Sequence, residues 1–188
     1  MQQIKNRADL SRYDNSWYSP GRGFIIRSIW FMVNVVFFIN PLSAVSSIKV
    51  LLLKLFGAKV GKGVVIKPGV NIKYPWNIEI GDYCWIGEGV WIDSLGLIKI
   101  GSNCCISQGA MLLNGNHDFS KSTFDLRVDP IILEDGVWIG AKSVLAPGTT
   151  CYSHSVLSLM SVASGDLNAY CIYRGNPAVM VRERNISN

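Results

Sequence analysis

The chain has 188 residues, 49% of them hydrophobic and 16% charged, with a formal net charge of +5. That length holds one domain rather than two, and the apolar balance excludes a disordered chain. Residues 1–73 carry eleven Lys/Arg and two Asp, a balance of +9, whereas residues 74–188 carry seven Lys/Arg and eleven Asp/Glu, a balance of −4. A basic, apolar first third on a mildly acidic body points to contact with an anionic membrane surface. Nucleic acid is not the expected partner, because the lysines lie beside long apolar runs and no nucleic-acid motif occurs.

Residues 1–56 form an apolar, basic segment. Its core, Phe24–Ile39, is sixteen residues interrupted by Arg27, Ser28 and Asn34, where a membrane-spanning helix needs about 20 apolar residues. Pro41 ends any helix there, and Ser47–Phe56 resumes an apolar helical pattern carrying Lys49 and Lys54. The segment reads as two short helices bent at Asn40-Pro41, lying on a bilayer face or packed against the body. No secretory signal precedes them. The five cysteines are odd in number and lack CxxC spacing, which describes a reduced, cytoplasmic chain using Cys as a small core residue. With only His117 and His154 to join them, no metal site is expected.

From Val60 the chain changes character. Every sixth residue is aliphatic: Val60, Ile66, Ile72 and Ile78, then after a two-residue step Ile80, Ile86, Ile92 and Ile98. A second two-residue step leads to Ile100, Ile106 and Leu112, and after a gap to Leu133, Ile139, Leu145, Cys151, Leu157 and Ala163. Fifteen of these seventeen positions are Val, Ile or Leu. Gly follows at 61, 81, 87, 101 and 140, and smaller residues such as Val64, Cys84, Cys104 and Ser143 stand four positions on. Six matches neither the helical nor the strand period. It predicts an all-β coil of short strands over residues 57–165, stacked as a solenoid with a dry aliphatic core, Gly serving the turns. The only long break, Asn114–Pro130, is polar and leaves the stack as a loop, a place where rigid scaffolds often carry function. Residues 166–188 lose the period, and Arg174–Pro177 reads as a turn leading to a basic tail.

At the mouth of that loop stands Asn114-Gly115-Asn116-His117-Asp118. An imidazole placed there can take a proton from a hydroxyl. These segments resemble the hexapeptide-repeat acyltransferases, in the branch of galactoside, maltose and xenobiotic acetyltransferases and nearest the colanic acid and exopolysaccharide O-acetyltransferases. The likeness covers residues 57–182 and is carried by GAKVGKGVVIKPGVNIKYPW (57–76), NGNHDFS (114–120), IILEDGVWIGAKSVLAPG (131–148) and RGNPAVMVR (174–182). It implies a left-handed parallel β-helix, a homotrimer with sites between subunits, and acetyl-CoA as co-substrate.

Residue by residue, the resemblance implies His117 as general base and the Ala141 N–H as oxyanion donor. Asp93, Asn114, Asn116 and Trp138 would lie at the acceptor, with Asp93 also able to orient the imidazole. Ala141, Leu159, Ser164 and Arg182 would contact the cofactor. Val179 stands where a basic residue is common and Leu159 where a small one is, so Arg174, Lys142 or Arg184 would have to serve the CoA phosphates. The expected activity is sugar O-acetylation, on a free sugar or a lipid-linked oligosaccharide, by a cytoplasmic protein peripheral to the membrane. Other acceptors (serine, an amino sugar, a xenobiotic) and a non-catalytic β-helix scaffold are the alternatives. A γ-class carbonic anhydrase, which holds its metal with three His on the same fold, fails by counting, since the chain has two.

Overall fold

The structure, a computed structural model, describes residues 7–187; the first six residues of the N-terminal segment and Asn188 lie outside the described residues. The six-residue period becomes three parallel sheets wrapped round one core. The first sheet stacks Lys59–Val60, Ile78–Ile80, Ile98–Ile100, Ile131–Leu133 and Thr150–Cys151. The second stacks Val65–Ile66, Trp85–Ile86, Cys105–Ile106, Trp138–Ile139 and Val156–Leu157, and the third Asn71–Ile72, Trp91–Asp93, Met111–Leu113, Val144–Leu145 and Val162–Ala163. In a strand of two residues one side chain points inward and the next outward, so Ile86 is buried beside exposed Trp85.

Register then puts like on like. Ile66, Ile86, Ile106, Ile139 and Leu157 form one column, and Ile72, Ile92, Leu112, Leu145 and Ala163 another. All seventeen periodic residues are buried, none exposing more than 9% of its surface. Each Val, Ile or Leu among them contributes roughly 1.5–3 kcal/mol by leaving water.

The glycines following the aliphatic residues have a different cause from the one expected. None of Gly61, Gly81, Gly87, Gly101 and Gly140 has a positive φ. What they lack is room: a Cβ on Gly81 would sit 2.6 Å from the Ser102 nitrogen, and one on Gly87 2.8 Å from the Gln108 nitrogen, both on the next coil. The left-handed corners lie elsewhere. Gly63, Tyr83, Asn103, Gly136, His154 and Tyr170 form one such column, each N–H from Tyr83 onward donating to a carbonyl of the coil beneath. His154 is therefore a corner residue, its ring 4.9 Å from that of Tyr170.

The N-terminal segment is helical from Phe24. Helix α1 (Phe24–Val33) runs into a π-helical stretch, Asn34–Ile39, and helix α2 spans Ser46–Leu55. Of the two expected settings, the structure shows packing against the body. One face packs on the open end of the coil, burying Trp30, Phe38 and Leu53. A first coil has no coil above it, so its outward backbone groups need other partners. Trp30 Nε1 donates to the Ile72 carbonyl at 2.9 Å, and Asn34 Oδ1 accepts from the Ile72 N–H. Lys49, fully buried, donates to the Lys67 carbonyl at 2.8 Å, and burial pushes its pKa below the usual lysine value. The other face is left exposed, with Phe24, Ile25, Phe31, Met32, Leu42, Leu51 and Leu55 outward.

At the other end the period does not stop. Leu167 and Tyr173, six residues apart, are both buried after a four-residue step from Ala163. The expected loss of period reflects that step and an aromatic in an aliphatic column. Cys171–Gly175 joins the second sheet beside Val156–Leu157, and Ala178–Glu183 returns antiparallel to it. The basic tail is thus a β-hairpin that extends the stack.

Candidate active site

Coil length marks where the site lies. On the first sheet the coils advance from Val60 to Ile80, Ile100, Leu133 and Cys151, which is 20, 20, 33 and 18 residues. The surplus of the three longer coils falls at one corner, where the third sheet hands over to the first. It forms the turn Pro75–Asn77, then Leu95-Gly96, then the excursion 114–130. Each bulge braces the next. Ser94 Oγ bonds both backbone groups of Tyr74 at 2.9 Å, and Asn77 Nδ2 donates to the carbonyls of Ser94 and Leu95 at 3.0 Å.

Asn114 belongs to this bracing. It is fully buried, accepts from the Gly96 N–H and donates to the Leu97 carbonyl. The side chain is turned into the corner and its amide engaged there.

The excursion folds on itself, Gly115–His117 pairing antiparallel with Leu126–Val128. This brings His117 Nδ1 within 2.9 Å of the Phe124 carbonyl oxygen. The imidazole stacks on the Phe124 ring at 4.6 Å and 12°, with the Tyr13 ring 5.7 Å away. A carbonyl only accepts, so Nδ1 carries the proton and Nε2 keeps its lone pair. Phe124 sits at φ 54°, uncommon for a bulky residue. Its turn is closed by the Lys121 carbonyl, with a Lys121–Asp125 ion pair at 3.0 Å alongside.

Asp93 ends its strand one coil earlier, opposite Leu113. Its side chain is 14% exposed, with Lys73 Nζ 3.0 Å from Oδ1. That contact is an ion pair without hydrogen-bond alignment, which leaves Oδ1 otherwise unpartnered. The hydrogen-bond partner of His117 Nδ1 is the Phe124 carbonyl and not Asp93.

His117, Asn116 and Asp93 line one polar cleft of about 530 Å³. Its remaining wall comes from residues that sequence reasoning missed. The stretch before α1 crosses back over the excursion, Asp9 N–H donating to the Ser122 carbonyl at 2.7 Å. This delivers Tyr13 and Tyr18 to the cleft. Tyr18 donates its hydroxyl to the Leu95 carbonyl at 2.9 Å. Burial, then the nearby Tyr74 and Asp93, hold its phenol well above the usual tyrosine range, so it remains a donor.

A second groove, of about 600 Å³, lies at the corner between the second and third sheets. Trp138, Ala141, Leu159, Arg182 and Arg184 line it. Trp138 Nε1 donates to Ser107 Oγ at 2.9 Å, and the Ala141 N–H donates to none of the described backbone carbonyls. Arg184 is anchored to the carbonyls of Gly136 and His154 at 2.9 Å each. Val179 lies exposed on the same strand as Arg182. Ser164, also exposed, is outside the groove. Trp138 and Ala141 thus stand apart from His117: the cleft and the groove share no lining residue.

No protein-family model matches the chain. Over 176 residues it is 38% identical to WcaF of Escherichia coli, which is designated an acetyltransferase of colanic acid biosynthesis; the match covers 91% of this chain and 97% of that protein. It is 28% identical over 137 residues to the galactoside O-acetyltransferase of E. coli, covering 71% and 68% of the two chains. Among solved structures, the hexapeptide-repeat acetyltransferase VCA0836 of Vibrio cholerae superposes with a TM-score of 0.78 at 22% identity, over 86% of this chain and 92% of that one. A galactoside acetyltransferase solved with coenzyme A gives 0.74 at 23% identity, over 86% and 82%. The coil is therefore the left-handed parallel β-helix that the family resemblance implies. Periodic core, excursion and a 38% identity that runs nearly end to end agree, and the chain belongs to the hexapeptide-repeat acetyltransferases, in the group of the colanic acid biosynthesis enzymes.

Proposed function

We propose that the protein transfers an acetyl group from acetyl-CoA to a sugar hydroxyl during exopolysaccharide synthesis. The observation that carries this is the imidazole of His117, fixed at Nδ1 by the Phe124 carbonyl so that Nε2 is a free base in a polar cleft. An alcohol is a poor nucleophile toward a thioester until a base takes its proton as the new bond forms. His117 does this, while Asp93 and Asn116 position the acceptor and protonated Tyr18 shapes the wall beside them. The groove receives the coenzyme. Ala141 N–H is the donor for the developing oxyanion, Leu159 lies along the pantetheine, and Arg182 with Arg184 offers the charge for phosphates that Val179 does not.

Base and oxyanion donor occupy different corners of one chain, so the working site joins the cleft of one copy to the groove of the next. A ring of three copies closes that arrangement. The first test is CoA release from acetyl-CoA with a panel of mono- and oligosaccharides. Sugar-dependent release is expected; acetyl-CoA that binds but is never cleaved faster with any sugar would remove the O-acetyltransferase reading.

The acceptor reaches the cleft at a membrane. No described helix is long and apolar enough to cross one, yet α1 and α2 expose Leu51 at 67% and Leu55 at 75% beside exposed Lys54. Such a face lies in the plane of an anionic cytoplasmic leaflet. The full chain is expected to float with phosphatidylglycerol vesicles and the double change Leu51→Glu, Leu55→Glu to leave it behind. Equal flotation of both proteins would reject the contact. Point changes suit this better than deleting residues 1–56, because deletion would strip Trp30, Phe38 and Leu53 from the coil end.

A further inference from the structure

Among the described residues, three buried side-chain nitrogen or oxygen atoms lack a hydrogen-bond partner: Arg27 Nε, Asp93 Oδ1 and Ser155 Oγ. Two of the three stand together. Arg27, on α1, and Asp93, at the end of its strand in the second coil, both line the polar cleft of His117 and the neighbouring cleft walled by Phe24, Phe31 and Trp91. They act on one spot: after burial and Tyr74, Asp93 raises the pKa of the Tyr18 phenol and Arg27 lowers it. Yet no ion pair joins them, and none among the described residues involves Arg27. Lys73 Nζ lies 3.0 Å from Asp93 Oδ1, an attraction that leaves the lone pairs of that oxygen without a hydrogen bond.

A buried donor and a buried acceptor left unpaired cost free energy unless a ligand completes both. An anion completes the guanidinium alone and meets the Asp93 carboxylate as a like charge. An ammonium completes the carboxylate alone and meets Arg27 and Lys73 as like charges. A hydroxyl completes both, because it has one O–H to donate and lone pairs to accept with, and it brings no charge. We infer that Arg27 is a specificity-determining residue: its Nε donates to a second hydroxyl of the acceptor sugar, which donates in turn to Asp93 Oδ1, while a different hydroxyl of that sugar faces His117. The substrate is then a sugar recognised through two hydroxyls, of which one is acetylated, and the ring portion in the cleft is neutral. The guanidinium keeps its proton at any working pH, so it only ever donates. This rests on reading the polar cleft as the acceptor site.

The test is a double-mutant cycle between protein and ligand, on the full chain with CoA bound. Methyl β-glycosides of glucose, galactose and mannose and methyl β-D-glucuronide are titrated by saturation-transfer NMR, followed by every monodeoxy analogue of the tightest binder. In the wild type one deoxy analogue is expected to bind about tenfold to a hundredfold more weakly than its parent, the worth of a hydrogen bond to a charged group. Its missing hydroxyl should differ from the one found acetylated in the product. Arg27→Met is expected to weaken the parent glycoside similarly and to bind that deoxy analogue no worse than the parent, while acetyl-CoA affinity and thermal unfolding stay at wild-type values. Equal deoxy penalties in the two proteins at every position, or no binding of any glycoside by the wild type, would overturn the assignment. A preference for the glucuronide that Arg27→Met abolishes would make the junction a carboxylate seat and equally overturn it. Because binding needs no turnover, the two readings fail separately. Glycosides that bind with this pattern and are never acetylated remove the function and leave the hydroxyl seat; acetylation with the same deoxy penalties in wild type and Arg27→Met removes the seat and leaves the function.

Discussion

His117→Ala is expected to lower acetyl transfer by about 10²–10⁴-fold, the usual worth of a positioned general base, while the dissociation constant for acetyl-CoA stays within error of wild type. The separation of effects follows from the geometry. His117 lines the polar cleft and has no place in the groove of Trp138, Ala141 and Arg182. Nor does it support the coil, because it sits on a hairpin outside the stack whose strands are held by backbone pairing. Saturating acceptor should not rescue the variant, since the loss is of proton transfer in the transition state and not of ground-state affinity. Activity retained above about a tenth of wild type, with the fold intact, would mean that Nε2 is not the proton acceptor.

How much of this was legible in the chain divides by physical origin. In a solenoid each coil contacts its neighbours, so core positions follow from one repeated spacing. All seventeen periodic residues are buried for that reason. The same spacing marked the excursion and its histidine. It could not reveal what the excursion meets. Tyr13 and Tyr18 reach the cleft from an aperiodic stretch about a hundred residues upstream of His117, by non-local contacts that leave no local pattern. The Phe124 carbonyl that orients His117 is a backbone atom, so residue type carries no signal for it. Asp93 was the natural candidate from side chains alone, yet Lys73 engages it. Asn114 is a polar residue beside the base whose amide is turned into the corner, an orientation that residue type does not reveal.

The N-terminal segment carries two demands in one composition. Its buried side supplies the partners the first coil lacks, including a fully buried lysine, and its outer side is apolar. From sequence these look like alternatives, packing or membrane. Helical periodicity allows a packed face and an exposed apolar face on one helix, because residues three or four apart share a face and their neighbours do not.

Mixing two inactive chains is expected to restore activity. In one, His117→Ala removes the base; in the other, Leu159→Glu with Arg182→Glu places negative charge in the coenzyme groove. Leu159 is 66% exposed and Arg182 lies on the outer strand of the terminal hairpin, so neither change disturbs the core. Each chain alone should be nearly silent. If every site takes its base from one copy and its groove from the next, random assembly of equal amounts leaves both halves intact at about a quarter of the sites, the heterologous contacts of a closed ring combining the two chains independently. Co-expression of the two chains, followed by isolation of mixed assemblies, should therefore recover activity far above either parent. If a single chain held a complete site, no mixed assembly could combine an intact base with an intact groove, and activity would stay at the parental level. The structure favours restoration, because the corner that presents Nε2 and the corner that presents the Ala141 N–H are separated by the width of the third sheet.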